Sequence, residues 1–335
     1  MRSHGGDVYK VSPNYDRITD MSSNVNPFLD LGKYSLYPEI SYTDIEEKLR
    51  VYTKSTNMGI VIGPGLTHLI YKYFEFYQVK KPIIAMPNFS EYKGIAEDRH
   101  LRFSAIPSYI IEKDPLILKN FDHDALFITS PSNPFGELFP ESTLETVFEI
   151  EEKRGRRVFL DGAFMDFVPN YAESIVQSSR SYFNVTIGRS LTKILAIPSL
   201  RAGYLIMERH EADLFRKAME PWSICQPAID FIRSIDINEV AKNSVALVNG
   251  EREYLISELK ARGIKVIGNP SANYIVISMP RTDEFYNFML SKGILVRLLD
   301  DYDYVGRCLV RLAIKTRSQN NAFLNALDNF MSSSE

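Results

Sequence analysis

The chain is poor in the residues that staple or metallate a fold. Its 335 residues include two cysteines, Cys225 and Cys308, far apart and without metal-type spacing. A disulfide framework is therefore excluded, and the pair reads as buried, reduced thiols of a cytoplasmic protein. Five histidines (His4, His68, His100, His123 and His210) are scattered with no two at ligand spacing, so no structural metal is expected. No apolar run approaches the roughly 20 residues needed to span a bilayer. The first seven residues, Met1 to Asp7, lack the apolar core of a signal peptide. An excess of one charge is missing too. A net charge of −3 and a pI near 6.0 argue against a general nucleic-acid binder.

What is present is apolar content, 45%, enough for a large core. From about residue 40 short apolar runs alternate with amphipathic stretches. Strands are expected at 58–62, 82–86, 101–106, 125–129, 157–160, 182–187 and 202–207. Helices are expected at 43–54, 67–78, 91–99, 140–153 and 211–219. That rhythm implies an α/β unit with a mainly parallel sheet covered on both faces. Beyond it the texture changes to a helical stretch from 229, and especially 240, to 261. Strands at 265–267, 274–279, 294–298 and 308–314 follow, with helices at 282–291 and 319–331. We expect a large α/β domain over 40–225 and a smaller α+β domain over 226–335, joined by residues 1–39 as an N-terminal arm.

The densest chemistry lies in Arg189-Ser190-Leu191-Thr192-Lys193, closed by Arg201, in a connection between two expected strands. Arginine can fork onto phosphate oxygens and the hydroxyls can donate to them. A lysine among such groups can form a Schiff base with an aldehyde. Pyridoxal phosphate carries both functions. On spacing alone, a basic loop with a solvated lysine accounts for the segment better.

Other polar residues fall at strand ends, where open α/β sheets collect ligands. Gly63-Pro64-Gly65-Leu66-Thr67 leads a strand into a helix and can approach an anion, or is simply a turn. Asn133, between Pro131 and Pro134, can donate to a ring oxygen, or mark an Asn-Pro turn. Asp161 ends a hydrophobic strand and needs a cationic or hydrogen-bonding partner, a protonated pyridine nitrogen or a helix cap. Phe89 can stack on a flat ring or belong to the core.

In this order these residues resemble the fold-type I pyridoxal-phosphate enzymes of the aspartate aminotransferase superfamily, over nearly the whole chain. Ser130-Pro131-Ser132-Asn133-Pro134-Phe135-Gly136 is similar to the family's Asn-Pro-x-Gly loop. Leu160-Asp161-Gly162-Ala163-Phe164 resembles its Asp-Glu-Ala-Tyr/Phe strand end, and Ser190 through Gly203 its lysine segment. The resemblance implies a Schiff base on Lys193, which also moves protons at Cα. It implies that Asp161 pairs with the pyridine nitrogen, Asn133 binds the ring hydroxyl and Phe89 stacks. Ser190, Thr192, Arg201 and Gly65-Leu66-Thr67 would hold the cofactor phosphate. Tyr37 would reach the partner subunit's phosphate in a homodimer. Arg311 resembles the arginine that forks onto the substrate carboxylate.

Two branches look similar, histidinol-phosphate aminotransferases and the threonine-phosphate decarboxylases of cobalamin synthesis. His4-Gly5-Gly6, with Asn26 in the segment after it, and Phe164 resemble the decarboxylase branch. Arg297 sits where the aminotransferase branch binds substrate phosphate. Pro64 removes an N–H donor from the usual Gly-Asn-Gly turn, and Gly162 replaces a common glutamate. The expected activity is decarboxylation of L-threonine O-3-phosphate to 1-aminopropan-2-yl phosphate, with aminotransfer from histidinol phosphate to 2-oxoglutarate as the alternative. A ligand-binding regulatory module is the non-enzymatic reading, but no helix-turn-helix segment or basic arm accompanies this chain.

Overall fold

The computed structural model of the chain describes residues 6, 8–11 and 18–332. The short helix α1 (Val8–Val11) and a 3-10 turn (Gly32–Ser35) precede α2 (Thr43–Tyr52). Then strand and helix alternate: β1 (Gly59–Gly63), α3 (Leu66–Phe76), β2 (Pro82–Met86), α4 (Ser90–Asp98), β3 (Ser104–Pro107) and α5 (Ser108–Lys113). They continue as β4 (Ala125–Thr129), α6 (Glu141–Lys153), β5 (Arg157–Asp161), α7 (Pro169–Ser179), β6 (Val185–Ser190), α8 (Leu191–Ile194), β7 (Gly203–Met207) and α9 (Arg209–Ala218). After α10 (Gln226–Ser234) and α11 (Ile237–Ala261) come β8 (Val266–Ile267), β9 (Tyr274–Ser278), α12 (Thr282–Ser291), β10 (Arg297–Leu298), β11 (Leu309–Ala313) and α13 (Arg317–Ser332).

Seven strands form one sheet in the order β1-β7-β6-β5-β4-β2-β3, and four form another, β10-β11-β9-β8. In the large sheet only β7 runs against its neighbours. Its strands are apolar on both faces because both are covered. Leu126 and Ile128 of β4 face one core with α6 and α7, whereas Ala125 and Phe127 face the other with α3 and α4. A third core lies between the small sheet and α11, α12 and α13. α10 and the start of α11 pack with the large sheet through Ile229, Ile232 and Ile237, and from Val248 onward α11 also serves the third core, burying Leu255 and Leu259 there.

Several sequence expectations need correction. Cys225 and Cys308 are both exposed, because each lies on a connecting segment outside the three cores. Arg189 and Ser190 belong to β6, and Lys193 to the one-turn helix α8, so the basic segment is not an irregular connection. The single helical stretch from 229 is two helices, because Asp236 stops the first run and caps α11 by accepting from Asn238 and Glu239 N–H groups. Helices α5 and α7 were not expected. Residues 101–103 stay outside β3.

Beneath the carboxyl edge of the large sheet, Arg189 of β6 pairs with Asp166 at 2.6 Å, both side chains at most 3% exposed. The Tyr52 hydroxyl donates to the same carboxylate oxygen. This pair ties the end of β6 to the turn after β5. Removing one partner leaves a buried charge unmatched, so Asp166→Ala should cost about 3–5 kcal/mol, read as a lower urea midpoint. Asp166→Leu combined with Arg189→Met should recover most of that loss.

Candidate active site

β1, β2, β4, β5 and β6 all end on one edge, and residues at or just beyond those ends surround a cavity of about 460 Å³. Leu66, Thr67, Phe89, Asn133, Asp161, Phe164, Ser190, Thr192, Lys193 and Arg201 line it, joined from the small sheet by Arg297, Tyr302 and Arg311.

Asp161 sits at the floor, 4% exposed. One carboxylate oxygen accepts the Ala163 N–H at 2.9 Å and the other the Tyr92 hydroxyl at 2.8 Å. Among the described residues it has no ion-pair partner. Burial raises its pKa, opposed by those two hydrogen bonds and by the charge of Lys193. A desolvated carboxylate held by both oxygens but lacking a cation fits a positively charged ring nitrogen.

Lys193 faces the same space from α8. Burial of its ammonium lowers its pKa first, then the positive charges of Arg201 and Arg311, against a smaller pull from Asp161. An amine so placed is readier to act as a nucleophile or base.

One end of the cavity is built for an anion. Gly65 has φ +91°, and a Cβ there would lie 2.9 Å from the Arg201 guanidinium. Only glycine lets that cation approach. The N-terminus of α3 follows at Leu66 with no side-chain cap, leaving its first N–H groups free for phosphate oxygens. Ser190 and Thr192 flank them, and Gly203, whose Cβ would lie 2.5 Å from Leu66 N, lets β7 pass directly beneath.

At the opposite side the Asn133 carbonyl oxygen accepts from Arg311 at 2.7 Å and from Tyr302 at 3.2 Å. Arginine can only donate, so the Asn133 amide nitrogen is left to donate into the cavity. The loop carrying it is closed by Ser132 and Glu137 and pinned by the Tyr274 hydroxyl on the Ser132 carbonyl at 2.7 Å. Phe89 and Phe164 supply apolar walls, Phe164 packed edge-on against Tyr274 at 4.8 Å.

Not every expected residue meets here. Tyr37, expected at the partner subunit's site, stacks on Trp222 at 4.6 Å, outside this cavity. Gly6 lies against Tyr37, its N–H donated to Ser22 Oγ at 2.9 Å. Asn26 is exposed and accepts the Phe28 N–H. His4 and Gly5 lie outside the described residues. Sequence reasoning missed Tyr92, Tyr302 and Tyr274. The signal for Tyr92 is its spacing, three residues after Phe89 in α4, but nothing local shows the carboxylate it binds. Among the described residues no helix is long and apolar enough to cross a membrane, and no cluster of metal-ligating side chains occurs.

Known proteins share this arrangement of fold. The family model of aminotransferase class I and II matches residues 13–327. The chain is 27% identical to a histidinol-phosphate aminotransferase of Methanosarcina mazei, covering 96% of this chain and 90% of that protein. It is 25% identical to the threonine-phosphate decarboxylase of Salmonella typhimurium, covering 98% and 96%. Among solved structures, the histidinol-phosphate aminotransferase of Clostridium acetobutylicum superposes with a TM-score of 0.80 at 27% identity, covering 89% of this chain and 91% of that one.

The buried carboxylate gives a signed prediction. A carboxyl whose folded pKa is raised contributes stability that is lost as pH rises through that value. Charged Asp161 therefore costs the cofactor-free protein stability at neutral pH. Asp161→Asn should melt no lower than wild type at pH 7–8, with the difference closing as pH falls toward 4. Differential scanning calorimetry of the two cofactor-free proteins measures it.

Proposed function

The chain belongs to the class I and II aminotransferases, and from that premise we propose that it decarboxylates a small phosphorylated amino acid, L-threonine O-3-phosphate. Its cofactor is pyridoxal 5'-phosphate, and the residues present fit that group. Arg201, Ser190, Thr192 and the Gly65-Leu66-Thr67 turn would hold its phosphate. Asp161 would keep its ring nitrogen protonated, Asn133 would donate to its ring oxygen, and Phe89 would cover a face. When bound, the cofactor supplies an electron sink for the pair released as a bond at Cα breaks.

The observation that carries the substrate reading is a pair of arginines. Arg297 of β10 and Arg311 of β11 are register partners, so two cations stand directly opposite each other on the cavity wall. Like charges so placed repel unless anions join them. An amino acid whose carboxylate and phosphate are a few bonds apart satisfies both at once. Arg311 would take the one and Arg297 the other, each by the fork geometry of guanidinium. The pose they impose decides which bond at Cα breaks. Once the carboxylate carbon has left as CO2, Lys193 returns a proton to Cα. Phe164, with no hydroxyl, and Tyr302 limit water around it.

A second reading is aminotransfer from histidinol phosphate to 2-oxoglutarate. The two cations can equally share one phosphate, and the likeness to the Clostridium acetobutylicum structure favours it.

In this reading residues 40–225 form the cofactor domain, against which α10 and the start of α11 pack, and 1–39 with 226–335 the second, in a cytoplasmic homodimer. Met21, Phe28, Leu29 and Leu31 expose apolar side chains on the arm, which supports a partner there. Light scattering of the purified protein should give twice the mass of one chain; a monomer would remove Tyr37 from any partner's site.

The function is tested by incubating cofactor-loaded protein with O-phospho-L-threonine and following CO2 and the phosphorylated amine. Sustained CO2 release is expected, slowed on the order of 10³-fold or more in Lys193→Ala. Glutamate formed from histidinol phosphate and 2-oxoglutarate, without CO2, would establish the second reading instead.

A further inference from the structure

Arg297 does not stand free beside the cavity. Its Nη2 donates to Asp301 Oδ2 at 2.6 Å, and its guanidinium lies 5.5 Å from the centre of the Tyr302 ring. Asp301 belongs to the loop 299–308 between β10 and β11. Three further contacts tie this loop across to the large sheet's side. Asp303 pairs with Lys93 of α4 at 2.5 Å, Tyr302 donates to Asn133 at 3.2 Å, and the Tyr304 hydroxyl reaches the Ala105 carbonyl at 3.5 Å.

Between loop and α4 lies a second cavity of about 370 Å³, which shares Phe89, Ser90, Arg297 and Tyr302 with the first. On its wall Asn88 is 3% exposed, and among the described residues its amide nitrogen has no acceptor. The two cations at this end, Arg297 and Lys93, are thus both engaged by acids of one loop.

We infer that Asp301 is an internal anion that holds Arg297 until the substrate's own anionic group displaces it, and so sets the threshold for anions entering the site. This rests on the reading that substrate brings an anion to Arg297. While the site is empty, Asp301 neutralises one of the two opposed arginines, which relieves their repulsion. The pair is half-exposed, 47% and 62%, so it is weak and screened by salt. A lone carboxylate arriving from solution gains nothing by replacing another carboxylate. A phosphate dianion carries more charge and more acceptor oxygens, and it does gain. Displacement frees the loop at one of its anchors, while Asp303 and Tyr302 keep it across the mouth. Asp301 is thereby a specificity-determining residue, favouring phosphorylated substrates over plain carboxylates.

The test uses the cofactor-loaded protein with inorganic phosphate as probe, titrated calorimetrically at low salt and at about 0.5 M NaCl. Asp301→Asn should bind phosphate roughly two- to five-fold tighter than wild type. The KM for the phosphorylated substrate should fall by a similar factor, with kcat moving less. The gain should vanish at high salt and in an Arg297→Gln background. If Asp301→Asn and wild type bind phosphate equally while Arg297→Gln weakens it, the competitor role fails and Arg297 remains a phosphate ligand. If Arg297→Gln changes neither phosphate nor substrate binding, both this inference and the phosphate reading of Arg297 are overturned.

Discussion

A carboxylate buried at the end of a parallel strand, with two hydrogen bonds and no cation, is the constraint around which this site is arranged. Burial disfavours the charge of Asp161 until something positive joins it. The backbone N–H of Ala163 and the hydroxyl of Tyr92 each hold one oxygen, so its direction is set before any ligand arrives. Lys193 is too weakly coupled to satisfy it, and its own ammonium is disfavoured by burial and two arginines. The protein keeps an acid and a base apart across one cavity, each in a state that the cofactor completes.

The second organising feature is the division of labour between the sheets. The large sheet contributes most groups of the cavity, from strand ends and the segments adjoining them. The small sheet contributes the arginines, and their opposition follows from the register of β10 on β11. Asn133 joins the two sets, since its side chain accepts from Arg311 and Tyr302 while its loop is clamped by Tyr274. An anion on Arg311 would therefore act on a residue that lines the same cavity.

Much of this was legible in the sequence, and the failures have physical causes. Strands β2 and β4 and helix α12 fall where apolar runs and turn residues place them. Helix α7 went unseen because its inward residues, Tyr171, Ala172, Ile175 and Val176, form two short pairs separated by Glu173 and Ser174, with no side-chain cap before them. The cysteines looked like core residues by type, but loops put them outside. Lys193, Asp161, Asn133 and Arg201 were legible because each adjoins a strand end. Tyr92 was not, because its partner lies 69 residues away. The opposed arginines were named singly, but their pairing depends on a register that composition cannot supply. Asp301 was invisible for a different reason: an exposed acid four residues from an arginine is unremarkable until the cavity beside it is seen.

The reversed strand β7 has a consequence for how the molecule is made. Its hairpin with β6 is local, so the lysine segment can be set soon after it leaves the ribosome. Strand β1 is apolar throughout and pairs with β7 alone, Gly59 opposite Met207. During synthesis β1 emerges early and must wait, unpaired, until residues 64–202 have followed it. For that interval the nascent chain carries an exposed sticky edge. The turn at Gly65 that would cradle phosphate can take its place only after β7 has been made, although it is among the first parts of the pocket to be translated.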